Sequence, residues 1–459
     1  MDSRKETTLS SLHDALLVQI ISNLSFKEAV TTSVLAKRWK NIYRETKNVS
    51  FIESEFENSD SDSEETEMEA RASFVDYMVD WVSTFTGEVI ETFEVCLSKP
   101  AGFETEIKAL IEFAVSKNVK NLGLDFSDIP WTRRNQVNVF PLPECVYTLA
   151  NLESLKLFAC EFIPSRLANP GKIKSLCFGW FQLGEIMSLI AKSPLLESLT
   201  IQRCWNVGLE MITRDNNRLV ELVFENCNFS TANSTLDLTN VEIFKYIGNF
   251  HHFQFMGVNK NIEDAYLDFE AAISLNDASG TQLRGLLYDL KSAKKLTVCP
   301  FLIELIKDGD EPVRLQAPME TRDLVMITSL QPSEFVGVRL MINSCPELET
   351  LTFVTVSLRH VSNTPLGFDP NEYWNLDLTH KCVESTLKVV EVKEFTGSMS
   401  ECQVLKYLIR YGLVLERVDM YLWSELDDGH KVLSREAAYM IENAFVRGSS
   451  GVRIELHDD

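Results

Sequence analysis

The chain has 459 residues, is 45% hydrophobic and carries a formal net charge of −23. Such a length and apolar fraction support a sizeable core, in more than one compact unit or in one elongated array. The negative field repels polyphosphate at long range and argues against a nucleic-acid binder. The start, MDSRKETTLSSLHD, has no apolar core that could serve as a signal peptide, and no run approaches the ~20 apolar residues needed to span a bilayer. Ten cysteines contain no Cys-x-x-Cys pair, so they read as reduced packing residues of a nuclear or cytoplasmic protein.

From Asp14 to Leu24 the residues Leu16, Leu17, Ile20, Ile21 and Leu24 recur at helical spacing and share one face. Ser25 and Glu28 then stand in capping-box register for a second, short helix. The spacing predicts a third helix with Val34, Leu35, Arg38, Trp39 and Ile42 along one side and Lys37, Lys40 and Asn41 on the other. Cations around a tryptophan also suit a nucleic-acid contact. The first 48 residues hold eight Lys/Arg against five Asp/Glu, an excess that a wet helix face carries without a polyanion. Trp39 therefore reads as an anchor. Units below ~40 residues usually need outside help to fold, so the leftover apolar surface predicts a partner.

The stretch LSSLHDALLVQIISNLSFKEAVTTSVLAKRWKNIY closely resembles an F-box of the plant type, above all in KEAV and TSVLAKRWKN. That family docks on the Skp adaptor of cullin–RING (SCF) ubiquitin ligases. The resemblance, assigned to residues 5–48, implies adaptor contacts at Leu12, Leu16, Leu17, Ile20, Leu24, Val34, Leu35 and Trp39. His13 belongs to the same set, standing where the family usually has proline.

Between Glu53 and Glu69 lie nine carboxylates and no base. Repulsion at that density predicts a disordered acidic linker over residues 49–72. Ser59, Ser61 and Ser63 stand among these acids, a setting that suits an acid-directed kinase; a solvating spacer is the plainer reading.

Past the acids the chain becomes periodic. LESLKLFAC, IKSLCFGW, LESLTIQRC and LVELVFENC follow L-x-x-L-x-L from Leu152, Ile173, Leu196 and Leu219, at spacings inside the ~20–29 residue window of leucine-rich repeats. Looser copies begin at Ile90, Val119, Leu348 and Leu387. The predicted fold is α/β: a three-helix F-box followed by a leucine-rich-repeat solenoid of strand–helix units (of the ribonuclease-inhibitor kind) over residues 73–365. Cys160, Cys204 and Cys227 fall at the small buried position closing a strand.

Residues 366–425 resemble the FBD domain that follows the repeats in plant F-box proteins, through Trp374, LKVVEVKEF and LKYLIRYGLVLERV. A C-terminal helix and strand over residues 426–459 complete the chain. Residues alternating with the buried leucines face outward on the inner curve and are the candidate target contacts: Lys156, Phe158, Gly179, Trp180, Thr200, Gln202, Glu225 and Lys245. The region after Glu69 remains negative, which favours a target with a basic segment.

No nucleophile–base pair, phosphate loop or metal-ligand spacing is evident, and His251-His252 reads as a loop or strand-edge pair. The expectation is a non-catalytic protein without cofactor, the substrate receptor of an SCF ligase. Two other readings stand beside it. One is a leucine-rich interaction protein whose F-box assembles no ligase; the other is a small-molecule receptor with a pocket in the solenoid.

Overall fold

Each L-x-x-L-x-L segment becomes a strand in this computed structural model, which describes residues 12–35, 38–56, 64–128, 130–133, 137–212, 218–256, 260–270, 277–306, 315, 317–356, 366–375 and 379–458. The chain divides into two units: Met1–Leu219 with Asn226–Ala232, and Val220–Glu225 with Asn233–Asp459.

The first unit opens with α1 (Asp14–Ile21), α2 (Phe26–Thr31) and α3 (Trp39–Ile42). Ser25 and Glu28 form the expected capping box, and their hydrogen bonds hold the Glu28 carboxyl below its ordinary pKa. The third helix is shorter than its spacing predicts. A 3₁₀ turn covers Thr32–Val34, and α3 itself starts at Trp39.

The parallel sheet of this unit follows at once, in the order β1 (Asn48–Ile52), β2 (Thr92–Cys96), β3 (Asn121–Asp125), β5 (Ser154–Phe158), β7 (Ser175–Gly179) and β8 (Ser198–Gln202). Short strands β4 (Phe140–Pro141) and β6 (Cys160–Glu161) pair beside it, and β9 (Met211–Ile212) lies further on. Return segments are helical at α6 (Glu104–Ser116) and α7 (Ile186–Ala191). Strands β5 and β8 bury every second residue, which is why leucine recurs there with period two.

After β5, β7 and β8, and again after Glu225, the chain turns in the left-handed region, at Ala159, Trp180, Arg203 and Asn226, all with φ between 51° and 61°. The turn lets each backbone N–H reach the neighbouring strand: Ala159 donates to the Gly179 carbonyl at 2.9 Å and Trp180 to that of Gln202 at 3.2 Å. Ordered neighbours satisfy the strain of one residue. Cys160, Cys204 and Cys227 are buried just past these turns, as the spacing predicts.

The expected disorder over residues 49–72 is corrected in its described part. Residues 48–52 are β1, Glu53–Phe56 form α4, and α5 runs over Glu64–Ser83. Ser59, Ser61 and Ser63 lie outside the described residues. Local repulsion is overcome by partners distant in sequence. Glu53 is buried, meets Arg71 at 2.6 Å, and accepts from the Ser98 backbone N–H at 2.6 Å and the Ser98 hydroxyl at 2.7 Å. Several remaining acids fall at the start of α5, where the helix dipole is positive. Further along α5, on the face that carries Arg71, Phe74, Val75, Met78 and Trp81 are buried.

The second unit repeats the build with a nine-stranded parallel sheet: β10 (Glu221–Glu225), β12 (Ile243–Asn249), β14 (Asp264–Glu270), β15 (Lys295–Val298), β16 (Asp323–Thr328), β17 (Thr350–Thr355), β18 (Val389–Phe395), β19 (Arg417–Leu422) and β20 (Arg453–His457). Strands β11 (Asn233–Leu236) and β13 (His252–Phe255) form a separate parallel pair. Helices α8 (Asp277–Asp289), α9 (Pro300–Leu305), α10 (Phe335–Ser344), α11 (Lys381–Ser385), α12 (Met399–Tyr411) and α13 (Asp428–Ala444) return the chain between strands.

Gly397, at φ 71°, turns the chain from β18 into α12, and a Cβ there would stand 2.9 Å from the Ala437 Cβ on α13. Both requirements select glycine. Ser398 and Glu401 then cap α12 reciprocally. No described helix is long and apolar enough to cross a membrane.

One carboxyl in this unit gives stability a pH dependence. Glu334 is buried where the Gln331 N–H donates to it at 2.8 Å, and burial pushes its pKa up to about 7. The folded pKa lies above the unfolded value, so its favourable contribution is complete below pH ~4.5 and is lost as pH rises through about 7. Glu334→Gln is expected to flatten the stability profile over that window in urea titrations. An unchanged slope would place the titration elsewhere.

Candidate adaptor-docking and target-binding faces

The apolar spacing of α1 splits into two stripes. Leu17 and Ile21 turn inward and join Ala29, Trp39 and Ile42 in the module's own core, with Leu12 and Leu24 packed partly buried against it. Leu16 and Ile20 point away and remain 50% and 37% exposed. Val34 and Leu35, on the turn after α2, are 82% and 66% exposed. Of the nine residues expected at the adaptor face, these four and His13 are exposed, and Leu12 and Leu24 are half-buried. The expectation is corrected for Leu17 and Trp39, which are 0% and 3% exposed and shape the face only from beneath. A helix whose apolar arc is wider than one core can cover keeps its second stripe in water unless something else covers it.

His13 takes over the start of α1. Its Nδ1 accepts from the Ala15 N–H at 3.3 Å, so the ring caps a donor that a proline would leave to solvent. Arg38 crosses to Asp14, with its Nε 2.7 Å from Oδ1, and ties α3 to α1. Sequence spacing put Arg38 on the apolar side without showing this partner.

The module continues directly into the sheet. Phe26 of α2 meets Phe51 of β1 at 5.2 Å and Trp81 of α5 at 5.3 Å, both edge-on. The Asn48 side chain donates to the Ser22 carbonyl at 2.7 Å, and the Ser22 hydroxyl accepts from Lys47 N at 3.2 Å.

On the sheet of the first unit, Lys156, Phe158, Thr200 and Gln202 occupy the half-exposed strand positions. Lys156 reaches across Gly123 to Glu94 at 2.8 Å. A Cβ at residue 123 would stand 3.0 Å from the Glu94 Cγ, so the glycine keeps that path open. Burial raises the Glu94 pKa, but the Lys156 hydrogen bond and charge, with the Ser50 hydroxyl, leave it below the ordinary carboxylate value.

Gly179 and Trp180 are corrected. Gly179 is buried under the Phe158 ring, and a Cβ there would clash at 2.4 Å. Trp180 sits in the left-handed turn, nearly buried, with Trp131 edge-on at 5.8 Å and the Arg203 guanidinium 4.9 Å above its ring. Trp131 and Arg203 escaped the sequence reading because they stand outside the leucine frame. The long interval between Val119 and Leu152 was the available signal of an inserted loop. Glu225 and Lys245 belong to the second unit, half-exposed on adjacent strands.

Burial pushes the Cys160 and Cys204 thiols well up, and those of Cys96 and Cys299 to about 12, so all four stay protonated. His251 and His252 border β13; the His251 ring meets the Ser234 hydroxyl at 2.9 Å, and burial lowers its pKa to about 4. Asp419, Glu455 and His457 bring possible metal-ligand atoms within 4.8 Å of one another. Arg417 already holds the Asp419 carboxylate at 3.0 Å and His457 approaches it at 3.2 Å, the arrangement of an ion-pair network.

A helical module with apolar side chains left in water thus runs directly into stacked parallel strands. A family model for the F-box domain matches residues 9–43, and one for FBD matches residues 379–419. Over 435 residues the chain is 48% identical to the F-box protein At3g62230 of Arabidopsis thaliana, covering 94% of both chains. It is 41% identical over 483 residues to the putative F-box/LRR-repeat protein At1g56400 of the same plant, covering 99% of this chain and 98% of that one. The protein belongs to the F-box/LRR-repeat family.

Proposed function

We propose that the chain is the substrate-recognition subunit of an SCF ubiquitin ligase, in the nucleus or cytoplasm. In this reading α1 and the turn after α2 dock on a Skp-type adaptor, and the strands form a leucine-rich-repeat solenoid that holds a target protein. The chain itself performs no chemistry. Its contribution is effective concentration, because holding target and ligase on one body replaces a bimolecular search.

The observation that carries the proposal is the exposed set Leu16, Ile20, Val34 and Leu35 on the module that the F-box model matches. The packing of Phe26 on Phe51 and Trp81 supports the delivery step, since a target on the sheet of the first unit is then held in a set geometry to the docking helices.

Purified chain mixed with a plant Skp adaptor at micromolar concentration is expected to co-elute with it. With ligase turnover blocked in cells, affinity capture of the chain is expected to bring down both adaptor and target. Absence of the adaptor from both experiments overturns the ligase reading.

A further inference from the structure

In the second unit, the turn at residues 371–375, α12 and the end of α13 enclose a cleft of about 290 Å³. Its apolar walls are Trp374, Tyr407, Tyr411 and Phe445, and the charged residues lining it are Lys406 and Arg410, one helical turn apart on α12. Trp374 is held by rings on two sides, Phe335 at 5.6 Å and Tyr407 at 5.3 Å, and Tyr407 is braced in turn by Tyr411 at 5.3 Å. The aromatic floor is thus preorganised.

Two features of this cleft are left incomplete. The buried indole N–H of Trp374 has no acceptor among the described residues. A buried donor without a partner is costly, so an incoming acceptor gains more there than at an open surface. Lys406 and Arg410 likewise form no ion pair among the described residues, in a chain whose net charge is −23.

We infer that the cleft binds an acidic peptide segment of the target protein, one with an aromatic or aliphatic side chain flanked by carboxylates. The side chain fills the space between the rings, the carboxylates meet Lys406 and Arg410, and the Trp374 N–H supplies a donor. The overall negative charge favours basic partners at long range. Salt confines that field to about 8–10 Å, so at contact the two cations of the cleft decide. The inference rests on the reading of the chain as a target receptor.

The test uses the full chain and a fluorescein-labelled peptide with one phenylalanine between glutamates, read by fluorescence anisotropy. A second peptide carries lysines in place of the glutamates. The glutamate peptide is expected to bind, and the lysine peptide is not. The double variant Lys406→Glu, Arg410→Glu is expected to bind about tenfold more weakly with an unchanged melting midpoint. Trp374→Phe, which keeps a ring and removes the N–H, is expected to weaken binding about threefold. Equal binding of the two peptides, no binding of either, or full affinity in the charge-reversed chain overturns the inference. Adaptor co-elution is measured on the same preparation. Adaptor bound without the glutamate peptide defeats the cleft alone; peptide bound without adaptor defeats the ligase reading alone.

Discussion

Leu16→Asp is expected to reduce capture of the Skp adaptor at least about tenfold while leaving the melting midpoint unchanged, because loss of one central anchor typically costs ~2–4 kcal/mol of binding. Leu16 already stands in water, so the aspartate strands no charge in the folded module. Val34→Asp is expected to behave in the same way. Leu17→Asp is the contrasting case. It places a carboxylate among Ile21, Ala29, Trp39 and Ile42, a core too small to yield, and the module is expected to unfold. Both classes lose adaptor, but only Leu17→Asp also loses helical circular dichroism and hydrogen-exchange protection in α1. If Leu16→Asp and Val34→Asp both bind the adaptor at wild-type affinity, the exposed stripe is not the docking face.

Arg71→Met is expected to destabilise the first unit by about 3–5 kcal/mol, the usual consequence of leaving one member of a buried ion pair without the other. Glu53 would keep its two Ser98 donors and lose the cation 2.6 Å away. Adding Glu53→Gln to that variant is expected to recover part of the loss, since the uncompensated charge goes with it. Chain length offers a second readout. A chain beginning at Ser73 lacks β1, Glu53 and Arg71, and exposes the sheet edge at β2. It is expected to melt well below a chain beginning at residue 12. Equal midpoints for those two chains, or a change under ~0.5 kcal/mol in Arg71→Met, would show that residues 48–72 are an appendage.

The pair bears on why residues 48–56 and 64–72 fold although acids crowd them. A reading confined to neighbours sees carboxylates beside carboxylates and predicts repulsion. The residues that neutralise Glu53 lie 18 and 45 positions away, at Arg71 and Ser98, and only a folded chain brings them together. Gly179 teaches the same lesson at smaller scale. Its strand position marks it as outward-facing, yet the Phe158 ring from the adjacent strand lies over it.

A residue and its near neighbours decide some features of this fold outright. The L-x-x-L-x-L frame set the strands, because successive side chains of a pleated chain point to opposite faces. The Ser25–Glu28 capping box set the start of α2, because both hydrogen bonds close within one turn. Which apolar stripe of α1 entered the core was settled by the fold, for Leu16 and Leu17 are equally apolar and only Leu17 joins the cluster of Ala29, Trp39 and Ile42. The tertiary structure alone set Arg203 over Trp180 and brought Lys406, Arg410 and Trp374 around one cleft. Such contacts join residues far apart along the chain, and their free energy depends on three-dimensional neighbours that no local pattern encodes.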